Sequence, residues 1–321
     1  MIDITAIGEL LIDFTPCGKD ERGVPMFAQN PGGAPANVLA MAAHLGGRTA
    51  FIGKVGRDAF GIFLRNVLFK NRISSAGLVA DKTVPTTLAF VQLDENGDRS
   101  FIFYRNPGAD QMLTVQEIKL ELIDNCQVFH FGSVSMTHDP SRSATIYAAE
   151  YAKAQGKLVS FDPNYRAMLW DSETEALEQI KRGVSIADIL KVSEEEAQLI
   201  TGEKDPASAS QKLLNMGPAL VLVSLGELGA YYRNHVCSGY VPTYQVDTLD
   251  TTGAGDAFVG AFLWKVHDMM KEELGFMSPI ELRQIISFAN AAGALTTTGS
   301  GAIPAMPDME QIRQCQSKEV R

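Results

Sequence analysis

The stretch Asp250-Thr-Thr-Gly-Ala-Gly-Asp256 decides how this chain is read. Three small residues open a helix, and Ala257-Phe-Val-Gly-Ala-Phe-Leu-Trp264 behind them is apolar on nearly every face, which places that helix in the core. The first amides of a helix lack intrahelical partners and sit at the positive end of its dipole. Gly253 and Gly255 remove the side chains that would keep a phosphate from those amides, so Asp256 stands beside any bound anion. A carboxylate there suits a base that takes a proton from a hydroxyl attacking a phosphoryl group. The same glycines also suit close packing of a buried helix, and the turn by itself leaves both readings open. Neither common nucleotide motif is present. The third glycine of a dinucleotide fingerprint comes two positions late, at Gly260, and Gly53-Lys54 is followed by Val55 where a P-loop needs Ser or Thr.

The bulk composition narrows the class. At 321 residues the chain is long for one domain and short for two full ones, and 45% hydrophobic with 21% charged residues is a globular composition. Every apolar run falls short of the roughly 18 residues of a membrane span. Met1-Ile-Asp-Ile-Thr5 is not a basic segment leading into an apolar one, so no secretory signal is expected. Cys17, Cys126, Cys237 and Cys315 have no metal-ligand rhythm and read as thiols of a reducing cytoplasm. A net charge of -10 argues against a nucleic-acid partner, though not against a nucleotide held by a few placed groups.

Outward from the central turn, buried runs alternate with helices, the pattern of parallel βα units. Ile2 to Phe14 reads as one buried strand broken at Gly8-Glu9, with Asp13 near its carboxyl end as either a ligand contact or a solvated carboxylate. Asn30-Pro-Gly-Gly-Ala-Pro-Ala-Asn37 enters a helix closed by Gly46-Gly47. Its Gly32, Gly33 and Asn37 suit a polyhydroxylated ligand or a plain loop-to-helix junction. Thr87 to Leu93 and Arg99 to Arg105, joined through Asn96-Gly97, form a hairpin that does not fit a parallel sheet and reads as a flap. Arg105 at its exit and Arg166 after Asp162-Pro-Asn-Tyr could both reach a cleft. Ser193 and Glu196 have the spacing of a capping box, and Glu196 could equally serve a metal-linked role. Lys191 is a ligand contact or an outward lysine.

The Asn30–Asn37 segment with its double-glycine stop, followed in the right order by Asp250–Asp256, resembles the two signatures of the ribokinase-like sugar kinases, the phosphofructokinase-B family. The likeness runs from Ile2 to about residue 307. Gly8-Glu-Leu-Leu-Ile-Asp13, Phe161-Asp-Pro-Asn-Tyr-Arg166 and Lys191-Val-Ser-Glu-Glu-Glu196 are similar to bacterial fructokinases. The resemblance implies a doubly wound, mostly parallel α/β sheet flanked by helices, Rossmann-like in layout. A small antiparallel β lid from segments about 12–30 and 85–107 would complete a single kinase domain over residues 1–321.

It further implies transfer of the ATP γ-phosphate to a ketose hydroxyl, most directly D-fructose to fructose 6-phosphate. Asp256 would be the base, and the amides of Gly253, Ala254 and Gly255 the anion hole. Asp13, Gly32, Gly33, Asn37, Arg105 and Arg166 would bind the sugar. Lys191, Ser193, Ser224, Gly226, Gly229 and Asn290 would line the nucleotide. Glu196 would reach Mg2+ through water, and Asp250, Thr252, Thr296 and Gly301 would surround K+. Ser193 departs from the family pattern, which has Asn there. A kinase for 2-keto-3-deoxygluconate, whose carboxylate Arg105 or Arg166 could fork, or for a riboside is the nearest alternative. A non-catalytic sugar sensor is a more distant one. The alternating Phe, Tyr and Val on the lid's outer face point to a homodimer.

Overall fold

Near-continuous apolar runs supply strands buried on both faces. The computed structural model describes residues 1–93 and 99–317. The chain lays down β1 (Ile2–Ile7) in the core and crosses into the lid as β2 (Leu11–Lys19) and β3 (Pro25–Gly32). It returns through the helix Ala34–His44 to β4 (Thr49–Gly56) and β5 (Ile73–Asp81), then leaves again as β6 (Leu88–Leu93) and β7 (Arg99–Tyr104). The core resumes with β8 (Cys126–Gly132), β9 (Leu158–Asp162), β10 (Ile189–Ser193), β11 (Leu220–Ser224), β12 (Gly229–Asn234) and β13 (Ser238–Pro242).

The core sheet has the order β13-β12-β11-β10-β9-β8-β1-β4-β5 and is parallel apart from the β11–β12 and β12–β13 pairs. Successive strand residues feed opposite faces: Ile4 and Phe51 pack into one apolar cluster, Ile7 and Ile52 into the other. β1 pairs with β8 on one side and β4 on the other. The winding therefore reverses at β1, and the carboxyl edge beside such a reversal is where open sheets take ligands.

The smaller sheet has the order β3-β2-β6-β7, antiparallel except where β2 meets β6. Phe14 of β2 stacks on Phe90 of β6 with centroids 4.9 Å apart and meets Phe60 edge-on at 5.9 Å, which ties the lid to the helix Ala59–Lys70. The Asn96-Gly97 turn expected between β6 and β7 lies outside the described residues. One expectation needs correction: Ile2 to Phe14 is not one interrupted strand. Its two halves belong to different sheets, and Asp13 is a lid residue opposite Asn30. Alternation of apolar residues shows that a run is buried but not which sheet buries it.

Three helices of small residues bring distant segments together. A Cβ on Gly260 would sit 2.4 Å from the Val38 carbonyl oxygen, and one on Gly293 would sit 3.0 Å from that of Ala254. The helices Ala34–His44, Ala254–Val266 and Pro279–Thr296 therefore approach backbone to backbone. That contact sets Asn37 against Asp256.

Candidate active site

Gly253 caps the helix Ala254–Val266 in the left-handed region, at φ 78°, and a Cβ there would lie 2.4 Å from the Ala302 side chain. Both facts exclude a larger residue. Gly255 differs, because a Cβ there would meet only the Lys191 ammonium tip, at 3.3 Å. Packing thus accounts for Gly253 and Gly260, while Gly255 keeps the space in front of Lys191 open.

Asp256, in the first turn of this helix, is buried and held by two amides. Its Oδ2 accepts from Asn37 Nδ2 at 2.8 Å and its Oδ1 from Asn164 Nδ2 at 3.3 Å. Burial pushes the carboxyl up to about 6; the Asn37 hydrogen bond opposes the rise and the Asp162 charge adds to it. Asn164 reaches this position because it adopts φ 47°, with Asp162 Oδ1 accepting its backbone N–H at 3.2 Å. Left-handed backbone is tolerated by Asn better than by most residues.

The carboxyl ends of β9 and β10 supply the neighbouring charges. Lys191 Nζ lies 3.0 Å from Asp162 Oδ2. Burial works against the ammonium, but the Asp162, Glu196 and Asp256 carboxylates outweigh it and raise its pKa. Glu196 completes a capping box: its Oε2 accepts from Ser193 N, while Ser193 Oγ accepts from Glu196 N. Its Oε1 accepts from Tyr165 N at 2.6 Å. Burial raises the Glu196 carboxyl, and the Asp162 charge adds to that.

Asp256, Asn164 and Lys191 open onto a cavity of about 350 Å³, which Asp13, Gly33, Asn37, Arg166, Thr251, Thr252, Gly253 and Gly255 help to line. The Asp13 carboxyl is pushed up to about 6 by burial; the Arg166 charge pulls it down and Asp256 pushes it up. Arg166 itself is exposed, with Nη1 donating to the neighbouring Tyr165 carbonyl, 3.1 Å away. Gly33, at φ 117°, has no room for a Cβ, which would sit 2.4 Å from the Glu9 carbonyl oxygen. Gly32 is not among the lining residues. A Cβ there would lie 2.1 Å from Asp13 Oδ2, so Gly32 makes room for the carboxylate that faces the cavity.

Arg105 requires a correction. Its side chain is 2% exposed, paired with Asp110 at 2.7 Å and donating to Thr137 Oγ1 and the Val134 carbonyl. It lines a neighbouring cavity and not this one. Position at the end of a lid strand suggested a cleft contact, but the buried Asp110 fixes it inside the wall.

The expected nucleotide contacts lie around the carboxyl end of β11. Ser193 and Ser224 face each other across β10 and β11, with Ser224 Oγ donating to the Val192 carbonyl at 3.3 Å. Gly226 and Gly229 bracket a short turn, both with positive φ. Asn290, expected to line the nucleotide, has both amide hydrogens engaged, by the Val241 and Pro242 carbonyls at 3.0 and 3.1 Å. Asp250 staples two loops, accepting from Thr252 N at 2.8 Å and Gly301 N at 3.0 Å. The Thr296 hydroxyl turns back onto the Ala292 carbonyl. Among the described residues no group of three or more His, Cys, Asp or Glu could hold a metal by itself.

Asn164 and Glu9 are among the residues of this site not singled out from sequence. Asn164 had a usable signal, an Asn directly after Asp-Pro at a strand end. Glu9 had another, a carboxylate inside an apolar run; it lines the cavity, its Oε1 accepts from Ala34 N, and burial pushes it up to about 7.

Comparison with known proteins shows the family. The profile of the pfkB family carbohydrate kinases matches residues 1–309. The chain is 46% identical over 313 residues to probable fructokinase-2 of Arabidopsis thaliana, covering 95% of this chain and 92% of that one. It superposes on the ATP-bound fructokinase of Xylella fastidiosa with a TM-score of 0.90 at 33% identity, covering 98% of each chain. With the fructokinase of Vibrio cholerae O395 in its fructose-, ADP- and calcium-bound form the TM-score is 0.88 at 34% identity, again over 98% of each. No helix among the described residues is long and apolar enough to cross a membrane.

Proposed function

The chain belongs to the pfkB family of carbohydrate kinases, and from that premise we propose that it transfers the γ-phosphate of ATP to the 6-hydroxyl of D-fructose. It is a phosphotransferase with an alcohol acceptor, built as one kinase unit with its lid inserted from segments about 12–30 and 85–107. The observation that carries this reading is Asp256, a buried carboxylate held by Asn37 and Asn164 at a helix N-terminus and opening on a cavity that Asp13 and Arg166 also line.

Asp256 orients the acceptor hydroxyl and takes its proton as the new O–P bond forms. Complete prior deprotonation is disfavoured by magnitude. Between a carboxyl near 6 and a hydroxyl close to water the gap is about 10 units, or about 13 kcal/mol, too much for one step in advance of transfer. The amides of Gly253 and Gly255 take up charge on the transferring group, with Lys191 and Arg166 adding positive potential; the Ala254 amide, expected beside them, already donates to the Thr251 carbonyl at 3.3 Å. Asp13, Gly33 and Asn37 hold sugar hydroxyls, and the lid excludes water as a competing acceptor.

The Xylella relative is described with ATP bound and the Vibrio one with fructose, ADP and calcium, and we assign Mg2+ as the divalent ion here. Glu196 fits a water-linked role, since each of its oxygens accepts one backbone amide and keeps a further lone pair. When bound, Mg2+ neutralises charge on the ATP phosphates. For K+, the Asp250 carboxylate, Thr252 and the carbonyls around residues 296–301 are suitable, and the Thr296 hydroxyl, donating to the Ala292 carbonyl, keeps its lone pairs. Ser193, Ser224, Gly226 and Gly229 would border the nucleotide. Val24, Met26, Phe27, Ile102 and Tyr104 expose apolar surface on the lid, which supports a homodimer that sedimentation would reveal. The four free cysteines suit a reducing cytoplasm.

A coupled assay with D-fructose and 2-keto-3-deoxygluconate side by side tests the assignment. Fructose is the expected substrate, because the pairing of Arg105 with Asp110 removes one of the two arginines that could have forked a carboxylate. Turnover of the acid alone would overturn it.

A further inference from the structure

Glu9 is a buried carboxyl that the mechanism above does not use. It stands between β1, which ends at Ile7 in the core sheet, and β2, which begins at Leu11 in the lid, and it is 4% exposed. Gly8 stays with the core, donating to the Ile52 carbonyl at 3.1 Å, and Leu11 is already paired with Gly32 in the lid. Burial pushes the Glu9 carboxyl up to about 7. Hydrogen bonds from its own amide and that of Ala34 pull the other way, while Asp110 adds to the rise and Arg105 opposes it. Its Oε2 has no hydrogen-bond partner among the described residues. Burying a carboxyl in such a place is costly, and the offsetting bond is made by its other oxygen.

Oε1 accepts from Ala34 N at 2.9 Å. Ala34 opens the helix Ala34–His44, and its amide is one of those that a helix start leaves without an intrahelical partner. The usual remedy is a side chain on the N-cap residue. Here that residue is Gly33, where a Cβ would strike the Glu9 carbonyl oxygen, so the cap has to come from another segment. Glu9 supplies it. Packing reinforces the contact, since a Cβ on Gly8 would sit 2.5 Å from Cγ of Pro35. The cap fixes the first turn of the helix, where Asn37 N donates to the Gly33 carbonyl at 3.1 Å and Asn37 Nδ2 donates to Asp256. Asn37 Oδ1 has no partner among the described residues, so that oxygen gives the side chain no second anchor. The backbone therefore decides where the Asn37 amide points.

We propose that Glu9 is a positioning residue for phosphoryl transfer. By holding Ala34 it seats the start of the helix Ala34–His44 on the core-to-lid crossing and keeps the Asn37 amide on Asp256. It acts through Asn37 and not on the substrate. The role belongs to the reach of Oε1 rather than to charge, because the carbonyl oxygen of a protonated carboxyl accepts a hydrogen bond as an ionised one does. The inference rests on Asp256 as the base.

Two substitutions separate reach from charge. Glu9→Gln keeps an acceptor oxygen at the same distance and removes the charge, whereas Glu9→Asp keeps the charge and falls one methylene short of Ala34. In Glu9→Asp, kcat/KM for fructose should fall about tenfold, with the KM for ATP unchanged within a factor of about two. The acid limb of its pH profile should also move up by about half a pH unit, because burial raises the Asp256 carboxyl and the Asn37 bond opposes that rise. Glu9→Gln should recover most of the loss, staying within about threefold of the natural chain with its acid limb unmoved. Parity of Glu9→Asp with the natural chain, equal damage in Glu9→Gln, or a loss in Glu9→Asp with an unmoved acid limb would each overturn the proposal. If either variant folds poorly, Ala34→Pro removes the donor at a helix position that accepts proline, and the same upward movement is expected. An unmoved limb there overturns the proposal too. Carbon NMR titration of the Asp256 carboxyl, assigned by its loss in Asp256→Asn, reads the movement without turnover. A chain that failed to phosphorylate fructose would thus refute the kinase reading and still leave this test decisive.

Discussion

Two buried clusters beneath the lid use the same kinds of residue to opposite ends. In one, Arg105 and Asp110 are 2% and 1% exposed, lie 2.7 Å apart, and have Thr137 and the Val134 carbonyl to complete the guanidinium's bonds. In the other, Asp256 is also buried but is held by two neutral amides, while the Lys191 ammonium is bonded to Asp162 instead. The first cluster is compensated and the second is not. A group that must give up its charge in a reaction has to be left under-stabilised, whereas a group that braces a wall must not be.

Asp256→Asn separates the two most sharply. The amide keeps the size and loses the basicity, so turnover should fall by about 10²- to 10⁴-fold with sugar affinity nearly unchanged. The same variant should be more stable than the natural chain at pH 7.5. A carboxyl raised from 3.8 to about 6 binds its proton more tightly when folded, so its contribution to stability is full below about pH 4 and is lost as pH rises through 6. Relief of that loss is worth about 1–3 kcal/mol in a denaturant titration. Wild-type turnover within a factor of a few would remove Asp256 from its role.

The compensated cluster should behave in the opposite way. Arg105→Met leaves Asp110 buried and unpaired, which costs about 3–5 kcal/mol, and calorimetry should show it as a large fall in Tm. Arg105→Met with Asp110→Leu should recover most of that loss. If Arg105→Met instead raised the fructose KM with no effect on stability, Arg105 would be a ligand contact after all.

The pH profile probes the uncompensated side alone. Because the base acts ionised, kcat/KM should fall about tenfold per unit below about pH 6, and more steeply if Asp13, also near 6, must be ionised too. A profile flat to pH 5 would contradict the raised pKa. The smallest effect is expected from Asn164→Gly. It keeps the left-handed backbone and removes the 3.3 Å bond to Asp256, so turnover should drop by about fivefold, near 1 kcal/mol, with stability little changed. No kinetic change would make Asn164 a purely conformational residue.

Much of this was legible in local patterns. Alternating buried runs predicted the parallel sheet, and the capping box at Ser193–Glu196 appears as its spacing required. The Asn96-Gly97 turn between β6 and β7 lies beyond the described residues, yet the strands on either side pair antiparallel as that reading expected. Asp13 was misplaced because β1 and β2 are both apolar enough to look continuous. Arg105 was misassigned because its partner Asp110, although close in sequence, gives no sign of being buried.

The sequence by itself determined which elements form, where glycine frees the start of the central helix, and which family the chain resembles, because these depend on neighbours within a turn or a strand. Only the tertiary structure decided that Asn37 meets Asp256 across 219 positions, that Asp162 turns Asn164 toward the same carboxylate, and that Arg105 belongs to a wall. The physical reason is that burial and charge compensation are properties of three-dimensional surroundings, and the same Asp or Arg becomes a reacting group or a brace according to what the fold packs beside it.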